Sequence, residues 1–350
     1  MKKHNLLSFI LLGTSLISFR CDKKNETKYF SLDSKQLQEQ YFPGQTISIA
    51  VLNLQNKEVD SIVYLVNDKN VASSTNGDPV KYQLKDEKFG YKNLKTIVYF
   101  EGEQQEIEAR VELVSDIQPK LMQYTIVNIY PHDATSYTQG LEFYRDTLFE
   151  GTGQRGNSKL LKTDHKTGKI FQSVPLEGKY FGEGITILNN KVYQLTWQEN
   201  TGFIYNAGNL QKIKSFAYFK NVEGWGLCND GTKLYQSDGT EKIWVLDPET
   251  MKELDYLNVY SGSNKIKSVN ELEWVNGKIY GNVYQKDAIA VINPQTGAVE
   301  GIVDLKELKT KVNVLDAGND VLNGIAYNPK TKTFFITGKK WDKMFEIRIE

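Results

Sequence analysis

In the stretch KYFGEG, residues 179–184, one carboxylate, Glu183, stands between two glycines and directly after two aromatic rings, Tyr180 and Phe181. Glycine lets backbone crowd the acid and rings can keep water from it. Both effects raise a carboxyl pKa toward neutrality, where one group can take and release a proton. The bland reading is a glycine turn that carries a solvated surface acid. The outcome depends on what the fold brings to Glu183. Gln139, Asn270 and Asn323 offer amides, Lys339 an ammonium, and Phe181, Trp197, Trp225 and Tyr284 rings. Gathered in one place, such a set suits a small polar ligand with an apolar stem. Lys340 is an adjacent rival to Lys339, and Gln139 and Asn270 could instead satisfy loop backbone.

Each of these residues falls at the start or the end of one recurring pattern. The stretches TQGLEFYRDTLFEGTG, GEGITILNNKVYQLTW, GWGLCNDGTKLYQSDG, NELEWVNGKIYGNVYQ and LNGIAYNPKTKTFFITG share a Gly or acidic residue, an apolar pair, a polar turn and an apolar strand. Turns such as DHKTGK, DPETMK and NPQTGA follow, and the repeats start at Gly140, Gly184, Gly226, Glu271 and Gly324. A period of about 40–50 residues is the length of a four-stranded propeller blade. A blade cannot bury both faces alone, so five of them predict a five-bladed β-propeller over residues 121–350. The last repeat lacks an outer strand, and QYTIVNIYP, residues 123–131, is expected to supply it and close the ring. The repeat starts then meet at one mouth of the axis.

Residues 27–118 hold the short strand-like runs TISIAVLNL, SIVYLV and KTIVYFEG between polar turns, which predicts a small immunoglobulin-like β-sandwich. The junction falls at SDIQPK, residues 115–120. The expected class is all-β, in keeping with 20 Tyr and 16 Phe. At the N-terminus, Lys2 and Lys3 precede the apolar run LLSFILLGTSLISF, short for a membrane span and suited to a signal peptide over residues 1–21. Cys21 stands where a bacterial lipoprotein carries its lipidated cysteine, although Phe19 and Arg20 before it are not the small residues such a site wants. The alternative is an ordinary signal peptide with an incidental cysteine.

The expected location is outside the cytoplasm, as a lipoprotein of the periplasm or outer membrane that meets the membrane only through its lipid. Forty-three basic and forty-three acidic residues cancel, which argues against a nucleic-acid partner. Cys228 is the other cysteine, and His4, His132 and His165 are too few for a His-rich zinc site. His132 and Asp133, in PHDAT, could pair as base or ligands, with a simple turn as the favoured reading. Trp244, Trp274 and Trp341 read as core or blade-edge residues.

The motifs YTQGL, FGEGI, LTWQE, GWGL, VNELEW, LNGIAY and ITGKKW, in that order over residues 121–350, resemble the plant-type glutaminyl cyclases, or glutamine cyclotransferases, which also occur in bacteria. No single motif is specific; the ordered set is. The resemblance implies a five-bladed propeller, in agreement with the repeat count. It also implies an acyltransferase that converts N-terminal glutamine of peptides to pyroglutamate with release of ammonia, without a catalytic metal. By the same resemblance Glu183 is the catalytic acid, and Gln139, Phe181, Trp197, Trp225, Asn270 and Lys339 are pocket residues. One position departs: Tyr284 stands where the plant enzymes carry tryptophan, which keeps a ring but changes its size and adds a hydroxyl.

In that chemistry Glu183 shuttles the proton, Asn270 and Gln139 fix the α-amine and the backbone carbonyl, and Lys339 stabilises charge on the amide oxygen. The expected partners are peptides or proteins with N-terminal glutamine, acted on by a monomer with no required cofactor. Glu183, Asn270 and Asn323 leave room for a structural cation such as calcium. Two other classes compete: a non-catalytic propeller that binds peptide N-termini or glycans, and a hydrolase or lactonase with a central calcium.

Overall fold

The computed structural model describes residues 28–314, 316 and 318–350. The expected signal peptide, with Cys21 and His4, lies outside the described residues. The chain is all-β: strands dominate, and the one helix among the described residues is the single turn Lys306–Lys309. Among those residues no helix is long and apolar enough to cross a membrane.

The N-terminal strands alternate buried and exposed positions. Along Gly90–Phe100, Leu94, Thr96 and Val98 point inward while Tyr91 and Asn93 face out. This period-two pattern marks a sheet with one packed face. Five strands make that sheet, in the order Gln40–Tyr41, Glu103–Leu113, Gly90–Phe100, Val59–Val66 and Lys69–Ser74. Two ladders, Phe30–Leu32 with Val51–Asn53 and Thr46–Ile49 with Val80–Gln83, complete the unit. Its core is Phe30, Ile47, Ile62, Tyr64, Val98 and Phe100 with their neighbours.

Five antiparallel sheets of sequential strands follow. The first comprises Thr138–Tyr144, Thr147–Thr152, Lys159–Thr163 and Ile170–Pro175; the second Gly182–Leu188, Lys191–Thr196, Thr201–Asn206 and Lys212–Ala217. The third runs Leu227–Asn229, Leu234–Ser237, Lys242–Leu246 and Glu253–Asn258, and the fourth Val269–Val275, Lys278–Val283, Ala288–Ile292 and Val299–Asp304. The fifth has Leu322–Asn328, Thr333–Gly338 and Lys343–Ile349, and its outer strand is Tyr124–Pro131, antiparallel to Lys343–Ile349 as the sequence predicts. Each sheet's first strand packs against the first strand of the next, and that of the fifth returns to that of the first.

Two sequence devices build this arrangement. The turn after each third strand of the first four sheets opens on Asp or Asn: the amides of Gly168, Leu210, Met251 and Gly297 donate to the carbonyls of Asp164, Asn206, Asp247 and Asn293, each at 2.8 Å. All four donors have positive φ, so two repeats use glycine there and two hold Leu and Met in a left-handed conformation. The second device is the glycine that starts most repeats. A Cβ on Gly140 would lie 2.5 Å from the Ile185 nitrogen, on Gly184 2.5 Å from the Trp225 oxygen, and on Gly226 1.9 Å from the Asn270 oxygen. The first strands therefore approach backbone to backbone.

In the fourth repeat the acid Glu271 replaces glycine. Buried, it accepts the amides of Leu141 at 3.2 Å and Ile325 at 2.9 Å, and so joins the first strands of three sheets.

The 115–120 junction is more than a linker. Lys120–Met122 adds a parallel strand to the outer edge of the fourth sheet. The N-terminal unit also docks on the third sheet and the hairpin after it: Lys88 pairs with Asp255 at 2.6 Å, Tyr260 donates to Glu112 at 2.6 Å, and the Tyr260 ring joins the N-terminal core beside Phe89.

Because Gly226 has no space for a side chain, Gly226→Ala is expected to destabilise the protein by about 2–3 kcal/mol through overpacking. Gly178, whose nearest atom to an added Cβ is 3.8 Å away, should accept alanine with little change. Thermal or denaturant unfolding of the two variants checks the contrast.

Candidate active site

Nine side chains line a cavity of ≈ 240 Å³ where the first strands begin: Tyr137, Gln139, Phe181, Glu183, Trp197, Trp225, Asn270, Tyr284 and Lys339. Eight were expected from the sequence and meet here; Tyr137 was not. Glu183 lies within the strand Gly182–Leu188 and is 5% exposed, so the turn reading of KYFGEG does not hold. Only one of its two preceding rings walls the site. Phe181 does, while Tyr180 packs on Phe203, 5.0 Å away in the second sheet's apolar cluster, because neighbouring side chains at a strand entry face opposite ways. Gly153 makes room for Phe181: a Cβ there would come within 2.3 Å of the ring.

The amides are arranged in series. Asn323 Nδ2 donates to Gln139 Oε1 at 3.0 Å and to the Thr138 carbonyl at 2.9 Å, and Gln139 Nε2 donates to Glu183 Oε1 at 2.9 Å. Gln139 thus holds the carboxyl group rather than its own loop backbone. Asn323, expected at the mouth, is instead buried behind Gln139 and outside the cavity lining. Asn270 lines the cavity, and its Oδ1 is buried without a hydrogen-bond partner.

Lys339 is 3% exposed, and its ammonium lies 4.9 Å from the ring centroids of both Tyr137 and Tyr284. Burial lowers its pKa to about 8, against the pull of Glu183. Burial likewise pushes the Glu183 carboxyl well above the usual carboxylate range; Lys339 opposes this, and Glu223 and Glu199 add to it. Burial thus drives the two groups toward each other's range. Lys340 is not part of the cavity lining; its ammonium lies 5.8 Å from the Tyr137 ring, and its backbone amide donates to Ser136.

The aromatic wall has a support that sequence reasoning missed. Glu223 Oε2 accepts both indole N–H groups, from Trp197 at 2.8 Å and Trp225 at 2.9 Å, and Oε1 accepts Gln198 at 2.9 Å. Burial works to raise its carboxyl, but the bonds from Gln198, Trp225 and Trp197 outweigh that and hold it below the ordinary value. The two neighbouring acids are thus shifted in opposite directions, Glu223 down and Glu183 up. Its signal was the spacing EGW, with a carboxylate two residues before a pocket tryptophan. Trp341 and Trp244 are buried, and Trp274 stacks on Tyr235 at 5.2 Å, in line with their reading as core.

No group of three or more His, Cys, Asp or Glu residues converges as metal ligands among the described residues. Of the three residues read as cation ligands, Asn323 is engaged behind Gln139, whose amide nitrogen occupies one Glu183 oxygen. His132 does not pair with Asp133, which caps its own turn by accepting from Thr135; it turns inward to Glu150.

A sheltered carboxyl and a buried ammonium in one ring-lined cavity suit a small amide- or amine-bearing group. The comparisons agree. Residues 98–349 match the sequence model of the glutamine cyclotransferase family. A glutaminyl-peptide cyclotransferase of Arabidopsis thaliana is 39% identical over 239 residues, 67% of this chain and 74% of the relative. The crystal structure of Myxococcus xanthus glutaminyl cyclase superposes with a TM-score of 0.63 at 32% identity, over 67% of this chain and 99% of that one. The chain belongs to the glutamine cyclotransferase family.

The buried ammonium sets a stability prediction. With its pKa lowered from 10.5 to about 8, Lys339 destabilises the fold while it is charged. Lys339→Met is therefore expected to stabilise the protein by about 2 kcal/mol at neutral pH, less than the whole shift because the Glu183 partner is lost too. The wild type should recover the difference as pH rises from about 8 toward 10.5, where the lysine is neutral folded and unfolded. Denaturant titrations of both proteins across that range measure it.

Proposed function

We propose that the chain is a glutaminyl-peptide cyclotransferase whose Glu183 carries the proton in the cyclisation of N-terminal glutamine. The observation that carries this reading is the enclosure of Glu183 in one ring-lined cavity with Lys339 and Asn270, in a member of this family. Phe181, Trp197 and Trp225 embrace the methylene stem and exclude water. The α-amine, a donor, meets Glu183 with the Asn270 side chain in the same wall; the γ-carboxamide oxygen meets the Lys339 ammonium.

Nucleophile and electrophile belong to one residue, so part of the entropy of encounter is prepaid. The α-nitrogen bonds to the γ-carbonyl carbon while its proton passes to Glu183. The tetrahedral oxygen gathers negative charge against Lys339. Glu183 then returns the proton to the departing nitrogen, the carbon–nitrogen bond of the carboxamide breaks, and ammonia and the lactam leave. Hydrogen bonding of Gln139 to Glu183 fixes the carboxyl for both transfers and supports a positioning role for this amide, in place of substrate contact. Tyr284 and Tyr137 flank the ammonium and keep it dry.

The finer architecture belongs to the same proposal. Five sheets with a cycle of packed first strands fit a five-bladed β-propeller, residues 121–350, and the N-terminal strands, residues 27–118, an immunoglobulin-like sandwich. The leader LLSFILLGTSLISF with Cys21 supports export as a lipid-anchored protein of the periplasm or outer membrane. We further propose that a monomer acts on peptides or proteins with N-terminal glutamine without a metal.

Glu183→Gln preserves shape and removes the proton carrier. It should lower kcat for pyroglutamate formation from a glutamine-initiated peptide by at least about a hundredfold, with KM little changed. Mass spectrometry for loss of ammonia, with and without chelator, reads both points: activity within twofold of wild type would refute the role, and activity abolished by chelator would refute metal independence. The second expectation concerns pH. Lys339 is charged below about 8 and loses its proton above it, so kcat should decline as pH rises through that value.

A further inference from the structure

His132 and Glu150 form a buried pair that the cyclisation scheme does not use. The His132 ring sits between two oxygens: Nδ1 lies 2.8 Å from the Trp341 carbonyl and Nε2 3.3 Å from Glu150 Oε1. A carbonyl only accepts, and Glu150 Oε1 already accepts the Thr138 hydroxyl at 2.7 Å. A neutral imidazole has one N–H and would leave one nitrogen facing an oxygen without a hydrogen; an imidazolium satisfies both. Side-chain exposure is 6% for His132 and 2% for Glu150, so the pair is shielded from bulk solvent.

The charged groups around the ring are Glu150 from the first sheet's second strand, Asp133 from its own loop, and Asp164 from the turn after the third strand, which lines the same small recess. Burial works against the charge on the ring, but Glu150, the Trp341 carbonyl and Asp133 outweigh it, and the His132 pKa stands above its ordinary value.

This pair joins two segments that both reach the catalytic cavity. On one side is the turn that carries Lys339, held by His132 Nδ1 at Trp341, by the His132 amide at Asp342 (3.0 Å) and by the Lys340 amide at Ser136 (2.7 Å). On the other is the segment leading into the first sheet, which bears Tyr137, whose ring lies beneath the Lys339 ammonium, and Gln139, which holds Glu183. Thr138, between them, is fixed by Glu150 through its hydroxyl and by Asn323 through its carbonyl.

We propose that His132, protonated on both ring nitrogens and paired with Glu150, is a positioning residue that locks the Lys339 turn against the segment bearing Tyr137 and Gln139. The long lysine side chain has several rotatable bonds, and its reach to the site is fixed by where its backbone turn is tied. Release of the tie leaves the ammonium free to turn toward solvent.

The proposal rests on the cyclase reading for its kinetic consequence, and a second readout is independent of it. His132→Asn keeps a polar group but removes the charge, and Glu150→Gln removes the counter-charge and leaves the ring. In the full-length mature protein each is expected to lower kcat about tenfold with KM changed less than about twofold, the pattern of a displaced catalytic group. The titration of Lys339, followed by the NMR shift of its labelled ε-carbon, should move upward by about half a pH unit or more in both variants as the ammonium regains water.

An unmoved Lys339 midpoint in either folded variant overturns the proposal even if kcat falls, because a structural role alone would lower stability without touching that titration. Unchanged kcat in both also overturns it. If His132→Asn does not fold, Glu150→Gln decides the matter alone. A wild type that fails to cyclise glutamine peptides refutes the cyclase reading, and the NMR comparison still tests the tie.

Discussion

The site depends on one constraint: a carboxyl group and an ammonium are held in the same dry cavity, and neither can take its usual protonation state without loss. Burial raises Glu183 and lowers Lys339, and each partly restores the other. In water the pair would be an ordinary ion pair with its pKa values six units apart or so. Here the gap narrows, which is what the proposed proton transfer through Glu183 requires. The rest of the structure serves to keep that cavity closed to solvent and its walls fixed.

The walls are fixed by second partners rather than by their own packing alone. One ionised carboxylate, Glu223, anchors two indoles that come from different repeats, and one amide, Asn323, orients a second amide, Gln139, so that it presents its nitrogen to Glu183. The two acids near the cavity thus differ by environment: Glu223 collects hydrogen-bond donors and stays charged, whereas Glu183 has one amide and a wall of rings. Glu271, in the position that other repeats give to glycine, ties the first strands of three sheets together.

Much of this was legible in the sequence because it is written in repeats. Turns that open on Asp or Asn, and glycines at fixed offsets, are required by backbone conformation and close approach, so they mark the five sheets directly. The pocket residues could be found because they occupy like positions in those repeats. What escaped was each residue whose role depends on a neighbour from another repeat. Glu223 sits in an irregular segment and is explained only by two tryptophans; Tyr137 precedes the pattern; Asn323 occupies a repeat start yet points behind Gln139; Tyr180 faces away from the acid it precedes in sequence. The docking of the N-terminal unit on the third sheet was unreadable for the same reason, since Lys88, Asp255, Glu112 and Tyr260 are ordinary surface types until they meet.

The closure between Tyr124–Pro131 and Lys343–Ile349 governs when this protein can begin to work. The earlier strand leaves the ribosome long before its partner and must wait, its ladder unfilled, until nearly all of the later chain has been made. Loop closure over such a separation is slow to begin and cooperative once begun. Lys339 sits in the turn between Thr333–Gly338 and that late partner, so its backbone is tied down only when the last strand pairs. The ring of first strands and the turn that carries Lys339 are thus completed together, at the very end of synthesis.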